Sequence, residues 1–142
     1  MKYSKKSKAI LKTVHEDLQL IFNEYIKQAT VDISIMEGIR TAERQNHLYL
    51  QKLSKLDGYN KISKHQLGRA IDIAIYGTNN IYDENHLCFV AGNLIGIAKK
   101  LYEEDKIDYI LRWGGNWDND GIIIKDQNFK DLVHFELMEV ER

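Results

Sequence analysis

Apolar residues near the start of the chain recur at steps of three and four: Leu11, Val14, Leu18, Ile21 and Tyr25. That period lays one apolar stripe along a helix and predicts a first helix over about residues 4–28, packed as a lid on the core. Val31, Ile33 and Ile35 then alternate with Asp32, Ser34 and Met36, the period of a half-buried strand, and Gly38 supplies the turn that ends it. Thr41 is positioned to cap a second helix through about Lys52, after which Ser54 to Ser63, with Asp57-Gly58 inside, reads as loop.

Further along, Ile71, Ile73 and Ile75 alternate with Ala70, Asp72 and Ala74, so a second strand buries isoleucines on one face and presents Asp72 between small residues on the other. Asp83 is placed to cap a third helix with the stripe Leu87, Val90, Leu94, Ile97 and Leu101, and Gly92 with Gly96 would let another element approach. Ile107–Arg112 and Val133–Met138 alternate as two more strands. With no proline anywhere, turns depend on Gly, Asn and Asp. The pattern predicts one α+β domain over 1–142, about three helices packed on a mostly antiparallel sheet.

A chain of 142 residues, 44% apolar, buries a core without staples but has no room for a second domain. The formal charge of −1 is scattered, so no basic face points to nucleic acid, and Lys5, Lys6 and Lys8 read as a solvated helix end. Cys88 is single and lies in a helical stripe, which predicts a buried free thiol and no disulfide. Lys12, His15, Glu16 and Asp17 interrupt the apolar residues of the amino terminus, leaving no signal-peptide core, and no segment has transmembrane length. The expectation is a monomer made in the cytoplasm, not inserted in a membrane.

In Ser63-Lys64-His65-Gln66-Leu67-Gly68-Arg69-Ala70-Ile71-Asp72 a histidine leaves a loop shortly before a strand that presents a carboxylate. In Asp131-Leu132-Val133-His134-Phe135-Glu136 a histidine and a glutamate share one strand face. If these strands are sheet neighbours, His65, Asp72 and His134 converge on a zinc ion whose fourth position stays open for water, as in a catalytic site. Such an ion lowers the pKa of its water from about 15.7 to about 7 and polarises a scissile carbonyl. Asp131, three residues before His134, is near the metal without being forced to bind it and is the candidate general acid and base. Arg40 is the candidate oxyanion stabiliser, a role in which losing a comparable donor costs about 3 to 4 kcal/mol. Spacing alone is met equally well by a loop histidine, a paired strand carboxylate and a satisfied core histidine.

Four motifs go further: Glu37-Gly38-Ile39-Arg40-Thr41, Ser63-x-His65-x-x-Gly68-x-Ala70-x-Asp72, Trp113-Gly114-Gly115-Asn116-Trp117 and Asp131-x-x-His134-Phe135-Glu136. In this order they resemble the zinc peptidases that include D-alanyl-D-alanine carboxypeptidases and phage endolysins of the L-alanyl-D-glutamate peptidase type, the endolysin branch above all. The resemblance implies zinc at His65, Asp72 and His134, the catalytic acid at Asp131, and substrate or transition-state contact at Arg40, with Ser63 and Gln45 near the site. It implies peptidoglycan as the partner, reached after release from the cell, and hydrolysis of the L-alanyl-D-glutamate amide. Asn116 stands where the family more often has aspartate, and Val133 where it more often has proline.

Alternatives within reach are a D-alanyl-D-alanine carboxypeptidase, which would want a further cation such as Arg69 or Arg112 for a terminal carboxylate, an inactive wall-binding module, and a structural zinc protein. Trp113 and Trp117 read either as core or as walls of a substrate groove. Asn116, Asp118, Asp120 and Ile122, with Gly121, have the alternating spacing of the first half of a calcium loop, but Gln127 stands where a bidentate glutamate belongs, with Asp126 adjacent. A polar turn whose side chains bond their own backbone explains the same residues. His15, His47 and His86 lack partners at ligand spacing and read as solvated or partly packed.

Overall fold

The computed structural model describes residues 1–140, so the last two residues of the expected 1–142 domain lie outside the described residues. Four strands, β1 (Ile33–Glu37), β2 (Ala70–Ile75), β3 (Ile110–Gly114) and β4 (Asp131–Met138), form one sheet in the order β1-β2-β4-β3. All three pairings are antiparallel. Helices α1 (Lys5–Leu11), α2 (Glu16–Gln28), α3 (Ala42–Leu50) and α4 (Glu84–Glu103) complete the α+β fold. One continuous core joins Leu18, Ile21 and Phe22 of α2 and Leu87, Val90 and Leu94 of α4 to Ile71, Ile73, Phe135 and Leu137 of the sheet. Strand alternation therefore turns Asp72, His134 and Glu136 to the face away from that core.

The expected first helix is two helices, which corrects the count from three to four. Its stripe is buried throughout, from Leu11 to Tyr25. The break at residues 12–15 is made by distant partners: the Thr13 hydroxyl donates to the Ile10 carbonyl and accepts from the Ile39 amide, and the His15 amide donates to the Gly68 carbonyl. The His15 ring then caps α2 by accepting from the Asp17 amide at 3.0 Å. This tie holds the turns at Gly38 and Gly68 in place, and both turns support the site described below.

Three further expectations are corrected. The strand expected at 107–112 lies at 110–114, because the Asp108 and Tyr109 amides bond the buried Asp17 carboxylate at 2.9 and 3.1 Å instead of a neighbouring strand. Gly92 and Gly96 face open space with no element against them, and Cys88 is half-buried. On the open edge of β1, the Ile35 amide is bonded by the hydroxyl of Ser7 in α1 at 2.9 Å, so the helix covers a sheet edge that would otherwise be unpaired. No helix among the described residues is long and apolar enough to cross a membrane.

Candidate metal and active site

Antiparallel pairing of β2 with β4 sets Asp72 opposite His134. His65 comes from the short 3-10 turn before β2, whose end Gly68 adopts φ +67, a left-handed conformation that favours glycine. Its Nδ1 lies 2.8 Å from the Gly38 carbonyl. A carbonyl can only accept, so Nδ1 carries the proton and Nε2 presents a lone pair. That Nε2 is buried without a hydrogen-bond partner and stands 3.2 Å from Asp72 Oδ1.

His134 is fixed from the other side. Its Nε2 donates to Glu136 Oε1 at 2.9 Å, which turns Nδ1 toward the same Asp72 Oδ1 at 3.1 Å. The candidate ligand atoms of His65, Asp72 and His134 all lie within 4.8 Å of one another. Two imidazole lone pairs and a carboxylate oxygen so close repel unless a proton or a cation lies among them. Two nitrogens and one oxygen suit a divalent ion with a coordination position left for water.

The charges follow the same logic. Burial works to raise the Asp72 carboxyl, but the adjoining His134 and His65 imidazoles outweigh it and hold the group well below the usual carboxylate range. Burial opposes a charge on His134, yet its bonds to Asp72 and Glu136 prevail and lift the imidazole to about 9. Burial pushes the Asp131 carboxyl up, against the attraction of His134. A bare backbone at Gly114 allows Asp131 its position: the two are register partners, and a Cβ on Gly114 would overlap the Asp131 carbonyl.

Supporting residues that carried no assigned role in the sequence complete the site. Glu136 Oε2 accepts from Arg112 at 2.8 Å, and the Arg112 guanidinium lies 5.3 Å from the centre of the Trp117 ring. Glu37 grips Arg40 with both carboxylate oxygens, at 2.7 and 2.8 Å, while Arg40 also donates to Gln45 Oε1 at 2.8 Å. The remaining reach of Arg40 is toward Asp72 Oδ2, 3.8 Å away. Both glutamates sit inside the recognisable motifs, and the alternation of β4 already placed Glu136 on the His134 face.

A cavity of about 590 Å³ opens over this floor, and Arg40, Ser63 and Asp131 line it together with His65, Asp72 and His134. Trp117 is part of its wall, its ring 5.5 Å from that of His134. Trp113 is core, 4% exposed with its indole N–H donating to the Leu132 carbonyl, so of the two readings open for it the core one holds and it does not line this cavity as a substrate contact. Gln45 is fully buried and donates to Ser54 Oγ and the Leu56 carbonyl, so it braces Arg40 and the following loop and does not line the cavity. Arg112 and Arg69 are both engaged, with Glu136 and Glu139 respectively.

In the 116–122 loop, Asn116 Oδ1 accepts from the Gly121 amide and Asp120 Oδ1 from the Ile122 amide, as a polar turn requires. Carboxylates of Asp118, Asp120 and Asp126 nonetheless gather within 4.8 Å of one another. Gln127, at the position a bidentate glutamate would hold, accepts from the Trp117 amide.

An antiparallel sheet that aims two tautomer-fixed histidines at one carboxylate, beneath an open cavity with a half-buried acid beside it, is the arrangement of a metal-dependent hydrolase. The chain belongs to the phage L-alanyl-D-glutamate peptidase family, whose model matches residues 1–138. It is 31% identical over 122 residues to the L-alanyl-D-glutamate peptidase of Escherichia phage T5, covering 84% of each chain. Its fold is similar to the crystal structure of the L-Ala D-Glu endopeptidase ChiX of Serratia marcescens, with a TM-score of 0.74 at 22% identity over 96% of this chain and 90% of that one.

Proposed function

We propose that this chain is a zinc endopeptidase of the phage endolysin type that hydrolyses the L-alanyl-D-glutamate amide in peptidoglycan stem peptides. The observation that carries the metal reading is the pair of imidazoles locked by Gly38 and Glu136 so that both lone pairs converge on Asp72. His65 Nε2, Asp72 Oδ1 and His134 Nδ1 would hold the ion. When bound, zinc supplies a Lewis acid that acidifies water and polarises the scissile carbonyl.

Asp131 takes a proton from the attacking water and returns it to the leaving D-glutamyl nitrogen as the C–N bond breaks, a task suited to a carboxyl whose proton affinity is raised by burial. Arg40, held by Glu37 and Gln45, contributes fixed positive charge beside the metal and faces the oxygen on which charge develops. Trp117 and Ser63 contact substrate from the cavity walls. The acidic loop supports a weaker second reading, a calcium ion held by Asp118, Asp120 and Asp126, which a calcium titration followed by tryptophan fluorescence tests through nearby Trp117. The wall is met by a monomer after release from the cell.

Mass spectrometry of purified peptidoglycan digested by the zinc-loaded protein tests the bond assignment. New D-glutamate amino termini that vanish with a chelator are the expected products. Free D-alanine would instead move the activity to a carboxypeptidase, and no product would favour a wall-binding module.

A further inference from the structure

The cavity over the metal site carries its lysines on one side. α3 and the chain after it, on the β1–β2 side of the sheet, contribute Arg44, Lys52, Lys55 and Lys64 beside the apolar Leu48, Leu53 and Leu56. The β3–β4 connection, on the other side, contributes Trp117 and Phe129. The other arginines of the site are held in ion pairs, Arg40 with Glu37 and Arg112 with Glu136. Lys52, Lys55 and Lys64, in contrast, have no acidic partner among the described residues, and Arg44 lies at the 4.0 Å limit of an ion pair with Glu37. The lysines are not carried on a loose strand: Gln45 ties the loop through Ser54 and Leu56, and Lys64 immediately precedes the candidate ligand His65.

We propose that this basic wall is the subsite for the carboxylates on the D-glutamyl side of the scissile bond, so that the stem peptide lies across the cavity in one direction. The inference rests on the bond assignment above. In an L-alanyl-D-glutamate bond the acyl side ends in an uncharged alanine, whereas D-glutamate has two carboxyl groups, of which chain extension consumes one. A free α-carboxylate then hangs on the carbon that bears the leaving nitrogen, which requires its cation next to the metal site, where Lys64 stands. Lys55 and Lys52, farther along the loop, meet acidic groups farther down the peptide. The uncharged acyl side is left to Trp117 and Phe129. Specificity follows: a stem whose D-glutamate is amidated is a poorer ligand than one with a free carboxylate, and the difference shrinks as salt screens the exposed lysines.

The test is binding of the amine-side product to the zinc-loaded protein by isothermal titration calorimetry, with a D-glutamyl tripeptide and its α-amide as probes. The wild type is expected to bind the acid about three- to fivefold tighter than the amide, the upper end for one exposed ion pair. In the triple variant Lys52→Gln, Lys55→Gln, Lys64→Gln this preference should fall below about twofold. A charge-matched control, Lys5→Gln, Lys6→Gln, Lys100→Gln, should keep the preference, which separates a local subsite from a change in net charge. Equal binding of acid and amide by the wild type, or a preference that survives the triple variant, would overturn the proposal. The bond assignment stands or falls separately on the cleavage products of the wild type.

Discussion

Replacing Glu136 by glutamine changes one atom in a buried group, 5% exposed, that would not itself bind the proposed ion. Glu136 faces two donors at once, His134 Nε2–H at 2.9 Å and Arg112 at 2.8 Å. A glutamine has a single oxygen, so one donor must meet its NH2 group. If the NH2 turns to Arg112, the imidazole keeps its bond but loses the negative charge that makes Nδ1 a stronger base. If it turns to His134, the ring must move its proton to Nδ1, which then cannot bind metal. Either outcome is expected to weaken zinc binding about 10- to 100-fold, the usual cost of losing such a partner, or about 1.4 to 2.7 kcal/mol. Competition against a chromophoric chelator reads this directly, with Glu84→Gln as an exposed control. Affinity within about twofold of the wild type, in a variant with an unchanged circular dichroism spectrum, would refute the assignment of Glu136 as the residue that orients His134.

Asp131→Asn should retain stoichiometric zinc, measured by atomic emission, while peptide hydrolysis drops by about 100-fold or more; substantial turnover would remove Asp131 from the chemistry. In the metal-free protein the folded His134 titrates near 9, above its ordinary 6.5. Its charge therefore stabilises the fold fully below about pH 6.5, and that contribution is lost as the pH rises through about 9. Zinc must displace this proton, so affinity should climb about one log unit per pH unit up to about 9 and then level off. Calorimetry in buffers of different ionisation enthalpy should count about one proton released from His134 at pH 7, and none would contradict the assigned charge state. Ser7→Ala strands the buried Ile35 amide on the sheet edge and should cost about 1 to 3 kcal/mol in urea unfolding, whereas a change under about 0.5 kcal/mol, within the range of ordinary surface substitutions, would show the edge bond to be replaceable.

Periodicity made the sheet pairing at the site legible in advance. Asp72 and His134 alternate against isoleucines and against Phe135 and Leu137, so burying those apolar sets leaves both polar residues on one face. The helix break at 12–15 was hidden because the apolar stripe runs straight through it, while its causes, Ile39 and Gly68, are far along the chain. Trp113 and Trp117 are four apart in one motif yet part company, since the strand irregularity at Trp113 and Gly114 ends β3 and leaves Trp117 in the loop. The fork of Glu37 on Arg40 depends on how the chain turns at Gly38, and no local pattern encodes that. Beyond the alternation of Asn116 to Ile122 the loop up to Lys130 has no period, and its carboxylate cluster draws on Asp126 because the chain folds back there.

One zinc ion, held by His65, Asp72 and His134, is proposed to drive cleavage of the L-alanyl-D-glutamate bond. The direct test is to strip the protein with a chelator and titrate zinc back while recording metal content and hydrolysis of an L-alanyl-D-glutamyl peptide. Activity should be absent at the start, rise in proportion to bound zinc and reach its plateau at one ion per chain. Full activity in the stripped protein, or a rise that begins only after the first equivalent is bound, would contradict the account.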